Sequence, residues 1–452
     1  MVSRVSIASC VLWLSLTGCA TSGGLSYDTL RVDAENTGVV EEPARAADDG
    51  ALRATALDRA SFITAVLHRN PTIESARAGW RAAIARIRST GTFDDPMVSL
   101  SIAPLSIAAS GVPLGYEGMI SQRVPWPGKL SLDESVARAE ASAAKSDFEG
   151  TRRELALAAA LLYDEYFVDV RSLDINAQHQ ALLRELKAAA VAQFVSGRGS
   201  AQDSLQAETE LTHLEHYAVV LATDRDVAIA QMNELLHRDP DVPLPPPPGE
   251  IALPPTRDRA VSALGAEAAQ QRPEVRAARD RAVAEAARSK RAQREWFPDL
   301  TLSTSYSSMW AMPEMRWMVG VAFNLPVQSG RRDGARDEAD ASRVRFEQQA
   351  TALGDKARTE VAVAAARLHE ARHVVALYGA RLIPIARDTI DAARAGFVTS
   401  RNDFVAVIAA ERNLRDVELG YLVARADVDR RSAELDRALG RIAGLHGTEA
   451  AR

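Results

Sequence analysis

Apolar positions follow two periods that alternate along the chain, and the alternation occurs twice. From Met97 the period is two. Val98, Leu100 and Ile102 alternate with Ser99, Ser101 and Ala103, which predicts a strand with one apolar and one polar face. Pro104, Gly111, Pro113 and Gly115 mark a loop, and residues 116–124 return as a second, less regular strand. Beyond Pro125-Trp126-Pro127-Gly128 the period lengthens. Ala156, Ala159, Tyr163, Tyr166, Val170, Leu173 and Ala177 step by three and four, a coiled-coil seam rather than a broad globular face. Residues 130–194 hold no proline and a single glycine, Gly150, so the predicted helix is a rod of about 100 Å at ~1.5 Å per residue. Ser196-Gly197-Arg198-Gly199-Ser200 reverses the chain, and residues 201–237 run back as a second rod.

The second occurrence follows a stretch with 8 prolines between Pro240 and Pro255, a stiff extended linker with no fold of its own. Leu300, Leu302, Thr304 and Tyr306 alternate with Thr301, Ser303, Ser305 and Ser307. Trp317, Val319, Val321, Phe323 and Leu325 alternate with Met318, Gly320, Ala322 and Asn324. Gly330-Arg331-Arg332 opens another rod, whose seam is Val361, Ala364, Leu368, Ala371, Val375, Tyr378 and Leu382. Thr399-Ser400-Arg401-Asn402 is the second reversal, and residues 403–439 run back. Helical stretches precede both strand pairs, at 52–89, broken near Asn70-Pro71, and at 257–294. The offset between copies stays near 202 residues: Asn70-Pro71 recurs as Arg272-Pro273, Val124-Pro125 as Leu325-Pro326, and Phe194-Val195-Ser196 as Phe397-Val398-Thr399. A unit repeated this completely is a half-structure that closes by packing on its copy. We divide the chain into a first repeat (51–239), the linker (240–255), a second repeat (256–445) and a tail (446–452).

Composition changes this picture little. Aromatic residues make up only 5% and charged residues 25%, which suits long helices better than large globular cores. A net charge of −6 supplies no basic face for nucleic acid. No run of 18 apolar residues is present, so no spanning helix is predicted. The N-terminus adds more. Arg4, an apolar run at 5–16 and Leu16-Thr17-Gly18-Cys19 read as a targeting segment over residues 1–18. That junction resembles the bacterial lipobox, which implies a lipid-modified Cys19, and Ala20 after it favours the outer membrane by resemblance to the sorting rule. Cys10 is the only other cysteine and leaves with the signal, so no internal disulfide is available and Cys19 is free for acylation. Residues 19–50, rich in Gly, Ser, Asp and Glu without periodicity, read as a tether.

Four strands of about ten residues have the length of tilted bilayer-crossing strands, with apolar faces toward lipid and Ser/Thr/Gly faces toward water. Four strands alone leave open edges, and unpaired backbone groups in lipid cost several kcal/mol each, so closure requires several protomers. Trp126, Trp296 and Phe297 sit near one set of strand ends and Trp310 and Trp317 near the other, as interfacial rings do. These features, together with Asp95-Pro96-Met97, the run from Ser121 to Leu130 (SQRVPWPGKL) and Phe323-Asn324-Leu325-Pro326, resemble the TolC-type outer membrane factors. The Pro-Trp-Pro-Gly-Lys-Leu segment looks closest to their heavy-metal-resistance branch. The resemblance implies a fold that is mainly α with membrane β: a homotrimer with a 12-stranded β-barrel continued by a periplasmic α-helical barrel. It implies a passive exit duct, with no catalysis and no cofactor, served by an inner-membrane RND-type pump and a periplasmic adaptor. Metal ions are the expected cargo, with organic compounds or type I secretion substrates as alternatives. A lipid-anchored periplasmic coiled-coil scaffold without a pore is the rival from another class.

By the same resemblance the two reversals are tips that contact the adaptor, which singles out Gly197, Arg198, Gly199, Ser200, Ser400 and Arg401. Some family members carry an acidic ring just past the second tip, where converging carboxylates focus the field on cations. Matching on residues 410–414 puts Ala406 and Ala409 at those positions, which leaves Asp403 and Glu411 as the gate candidates. Three further patterns stand outside this scheme. His369-Glu370-Ala371-Arg372-His373 matches the zinc-peptidase motif but lies within a rod, without a third ligand or a cleft. His213 and His216 lack partners in sequence. Met309, Met312, Met315 and Met318 crowd the second strand pair, and thioethers suit soft Cu(I) or Ag(I), although methionine also fills loops without metal.

Overall fold

In the computed structural model, which describes residues 23–37, 50, 52–107, 110–255, 259–399 and 401–445, the two periods become two kinds of element. In chain order these are α1 (Gly23–Asn36), α2 (Arg59–Arg69), α3 (Pro71–Thr90), β1 (Met97–Ile102), β2 (Tyr116–Val124), α4 (Lys129–Val195), α5 (Ala201–Leu235), α6 (Val261–Gln271), α7 (Pro273–Arg294), β3 (Leu300–Ser307), β4 (Trp317–Phe323), α8 (Ser329–Leu377), a π-helical turn (Tyr378–Leu382), α9 (Ile383–Val398) and α10 (Phe404–Ala438). The duplication is visible in that order. Asp58 caps the first copy by accepting from the Ser61 amide, and Asn70 ends α2 in an extended conformation so that Pro71 can open α3. Arg272 and Pro273 repeat the break between α6 and α7. Among the described residues no helix is long and apolar enough to cross a membrane.

The residues form two units. One draws on Met1–Thr37, Arg77–Ser146 and Arg276–Ala350, and the other on Gly38–Ala76, Asp147–Val275 and Thr351–Arg452. The first holds the sheet and an alanine-rich helical core in which Trp80, Ile84, Ala137, Ala141, Ala278 and Ala284 are buried. Small side chains at these contacts let long helices lie close together. The second unit is helical. Leu183, Leu186, Leu211, Leu214, Ile390, Phe397, Phe404, Val407 and Leu414 build one core shared by α4, α5, α9 and α10. Leu264, Ala357, Val361, Leu435 and Leu439 build another from α6, α8 and α10.

Four expectations change. The segment read as a tether contains α1, where Asp33 accepts from Lys145 at 2.5 Å and the Arg88 guanidinium lies 5.0 Å from the Tyr27 ring centroid. Its composition carries no helical period; contacts with α3 and α4 hold it instead. The strands have 6, 9, 8 and 7 residues rather than about ten. A turn at Pro104 follows β1 closely, and β4 stops at Phe323 because the Asn324 side chain accepts from the Asp299 amide at 2.6 Å. The first seam holds through Tyr166 and then shifts. Val170 and Leu173 are half-buried and Ala177 is exposed, while Ser172, Asn176 and His179 take the buried positions ahead of Leu183. Finally, the second rod is interrupted by the π turn directly before Pro384, where a wider turn accommodates a ring that would clash with a regular helix. The proline-rich linker has no regular structure, as expected, but it is pinned. Its Pro245 and Pro246 carbonyls accept from the Tyr166 hydroxyl and the Leu57 amide, and its Pro254 carbonyl accepts from Arg372.

Candidate membrane sheet and helix tips

The four strands form one antiparallel sheet in the order β1-β2-β3-β4. Its register decides the chemistry of each face. Val98 pairs with Ile120, Leu100 with Gly118 and Ile102 with Tyr116. Ile120 faces Thr304, and Leu300, Leu302, Thr304 and Tyr306 meet Phe323, Val321, Val319 and Trp317. Directly paired residues share a face, so most apolar positions of the four strands align on one side, with Met97, Met119, Met318 and Ala322 on the other. The other side carries Ser99, Ser101, Glu117, Ser121, Thr301, Ser303, Ser305 and Gly320. The apolar side is exposed, with Val319 at 86%. Contiguous apolar patches of this kind mark a surface meant for lipid or protein. β1 and β4 each pair along one edge only among the described residues.

Where the sheet joins the helices, one buried cluster ties the repeats together. The Lys129 ammonium is buried at the start of α4 and donates to Asp299 at 2.7 Å and to the Phe297 carbonyl at 3.0 Å. Asp299 also accepts from Arg123 at 2.7 Å and from the Trp126 amide at 3.0 Å. Burial pushes the Asp299 carboxyl up, but Lys129, the Trp126 amide and Arg123 outweigh it and hold its pKa at about 2. The Trp126 and Phe297 rings stack beside this cluster with centroids 5.2 Å apart. Sequence reading placed these aromatics at a strand end and missed the ion pair between them. Lys129 was visible only as part of the Ser121–Leu130 run, and nothing in that run points to Asp299.

The reversals lie at one end of the second unit. Gln193, beside the first, donates to the carbonyl of Phe397, beside the second, at 3.2 Å, and Phe397 and Phe404 pack with centroids 5.2 Å apart across the second. Gly197 has φ +71°, a left-handed conformation that closes α4. Ser200 and Asp203 form a capping box that opens α5. Both residues therefore have a turn-forming role. Arg198 and Arg401 are exposed, Gly199 is half-buried, and Ser400 lies outside the described residues, as does Cys19. Val195 and Val398, equivalent positions of the two repeats, are 80% and 72% exposed. This feature was not singled out beforehand, although the repeat of Phe-Val-Ser as Phe-Val-Thr displays it.

The two gate candidates separate. Asp403 is exposed where α10 begins, and its side chain makes no capping hydrogen bond. Glu411 is fully buried, and the His179 imidazolium donates to it at 2.9 Å and to Glu418 at 3.2 Å. A carboxylate so placed ties α4 to α10 and does not line a water-filled passage. Burial pushes the His179 pKa down, but its bonds to Glu411 and Glu418 outweigh this and raise it to about 9. The raised value fixes the sign of a pH effect. The stabilisation is full below the free imidazole value of about 6.5 and is lost as pH rises through about 9. Thermal melts should fall over that interval, and a His179→Leu/Glu411→Leu protein should lose the fall. Equal slopes in the two proteins would exclude the imidazolium as the cause.

His369, Glu370 and His373 are exposed on α8. Among the described residues no group of three or more His, Cys, Asp or Glu side chains is placed to hold a metal ion.

Residues 264–441 match the model of the family described as outer membrane efflux protein. That family consists of channels, not enzymes, and its channels have no cofactor. No curated protein sequence matches the chain. Among solved structures the fold is similar to CusC, described in connection with transmembrane channel formation, at 17% identity and a TM-score of 0.73, covering 85% of this chain and 92% of that one. It is similar to the outer membrane protein VceC of Vibrio cholerae at 18% identity and a TM-score of 0.70, covering 85% and 96%. The Campylobacter jejuni CmeC outer membrane channel matches at 14% identity and a TM-score of 0.71, covering 87% and 88%.

Proposed function

We propose that this chain is one protomer of a passive outer-membrane exit duct of a tripartite efflux system. The observation that carries the reading is the open four-stranded sheet whose exposed side is apolar on every strand. In lipid, that side needs no cover, but the edges of β1 and β4 do. Pairing β1 of one copy with β4 of the next satisfies both edges. Three copies of four strands then make a 12-stranded barrel, with Ser, Thr and Gly toward the water inside. The helices continue it as a periplasmic tunnel. Cys19 carries the lipid that anchors each copy.

The exposed reversals support docking of a periplasmic adaptor at Arg198 and Arg401, with Val195 and Val398 adding apolar area; Ser400, which precedes Arg401 in sequence, belongs to the same proposed contact. Gly197, Gly199 and Ser200 shape the surface that is offered. Asp403 remains the gate residue, three copies of it converging at the tip. An RND-type inner-membrane pump supplies the energy, and heavy-metal ions are the cargo that the Pro-Trp-Pro-Gly-Lys-Leu resemblance favours.

Full-length protein reconstituted into planar bilayers should give stepwise ion conductance, and in detergent its mass should equal three chains. A monomer that stays soluble without detergent and passes no current would overturn the proposal.

A further inference from the structure

Four of the eight methionines fall within residues 309–318, and the sheet register gives one of them, Met318, a common side with Met119. Met119 pairs with Ser305, and Ser305 pairs on its other edge with Met318. The two thioethers therefore flank one short serine in a single row on the polar side of the sheet. Neighbouring strands are about 4.8 Å apart, so the two backbones are about 10 Å apart, and two unbranched side chains can lean toward each other over Ser305. Met309 joins the same side farther along. A Cβ on Gly115 would lie 3.2 Å from Met309 Cγ and 3.4 Å from its sulfur, so the missing side chain at Gly115 is what lets Met309 settle there. Glu117, between Gly115 and Met119 on that side, adds a carboxylate.

Packing does not account for these methionines. Met232 is fully buried in the helical unit, whereas Met119 and Met318 are 37% and 41% exposed on a side that also carries Met97, Glu117, Arg123 and Ala322 among small Ser, Thr and Gly residues. A thioether left this exposed gains only part of what full burial gives, and its sulfur favours soft monovalent metal ions over sodium or potassium.

We infer that Met119 and Met318 form a transfer site for a soft monovalent cation of the Cu(I) or Ag(I) class, with Met309 as a further thioether near the hairpin. The inference rests on the channel reading and specifies its cargo. Two neutral sulfur donors bind weakly, which suits conduction, because a site on an exit path must release what it takes.

The test uses the full-length protein in chloride-free nitrate buffer, with Ag(I) as the probe. Binding is followed by titration calorimetry, and potassium conductance is recorded from the same preparation. Met119→Leu/Met318→Leu keeps volume and apolarity, so folding should be preserved. Both proteins have the same cysteines, so a difference between them reports the thioethers. The wild type should bind Ag(I) on the order of tenfold more tightly than the double variant, with equal potassium currents in the two. Identical isotherms would overturn the inference. Potassium currents without Ag(I) binding to the wild type would also overturn it, and would leave the channel reading standing. Methionine-dependent Ag(I) binding without any current would support the site and refute the channel.

Discussion

Replacing Asp299 with Ala should cost about 3–5 kcal/mol of folding stability, the usual loss when one partner of a buried ion pair is removed. The reason lies with the partner left behind. Lys129 is fully buried at the start of α4, and without the carboxylate it keeps only the Phe297 carbonyl at 3.0 Å and a longer ion pair to Glu295 at 3.9 Å to receive its charge. The Trp126 amide and Arg123 lose an acceptor at the same time. Denaturant unfolding, or the temperature at which the assembled species dissociates, measures the loss. Lys129→Met in the Asp299→Ala background should recover part of it, because a neutral side chain of similar length needs no counter-charge. A drop below about 1 kcal/mol would place the pair in a wet, well-screened setting. The carboxyl also predicts an acid limit. Its pKa is held at about 2 against an ordinary value of 3.8, so its stabilisation is present above about pH 4 and disappears as pH falls toward 2. Asp299→Ala should flatten the stability curve in that interval.

Val319→Arg should abolish insertion, while Ser101→Arg should leave it intact. Val319 lies on the apolar side near the middle of β4, and an arginine facing lipid at mid-depth costs about 2–4 kcal/mol per chain, a penalty that every copy in a barrel incurs. Ser101 lies on the opposite side of β1, paired with Glu117, where an arginine meets water and a carboxylate. The comparison therefore tests the assignment of faces, not tolerance to charge in general. Membrane fractionation should find the first variant unassembled. The second should conduct with reduced preference for cations. Equal insertion of both variants would mean that the apolar side does not face lipid.

Much of the architecture was readable from local pattern. Tyr116–Val124 matched its predicted limits because Gly115 and Pro125 punctuate it, and the ends of α4 and α9 fell at the Gly/Ser-rich run 196–200 and the polar run 399–402. What escaped the sequence depends on partners far away along the chain. His179 sits in a seam position that apolar periodicity assigned to Leu173 and Ala177, and its burial is set by Glu411, 232 residues later. For the same reason Glu411 looked available for gating. Its repeat position was legible, but the imidazole that claims it was not. Lys129 and Asp299 are 170 residues apart, and no periodicity links them. The π turn before Pro384 is a different kind of omission, because a seam that keeps stepping by three and four conceals a change in helical pitch.

The pairing of Lys129 with Asp299 also bears on how the duplicated chain can evolve. Lys129 belongs to the first repeat and Asp299 to the second, whereas Arg331, the counterpart of Lys129, is exposed, and its neighbour Arg332 donates to the backbone carbonyls of Glu295 and Gln328. The present halves are therefore not interchangeable. A tandem of two first halves would bury two ammonium groups and bring no Asp299 to meet them. Once that complementarity arose, neither half could revert to self-pairing, and the two were bound to be inherited as one gene.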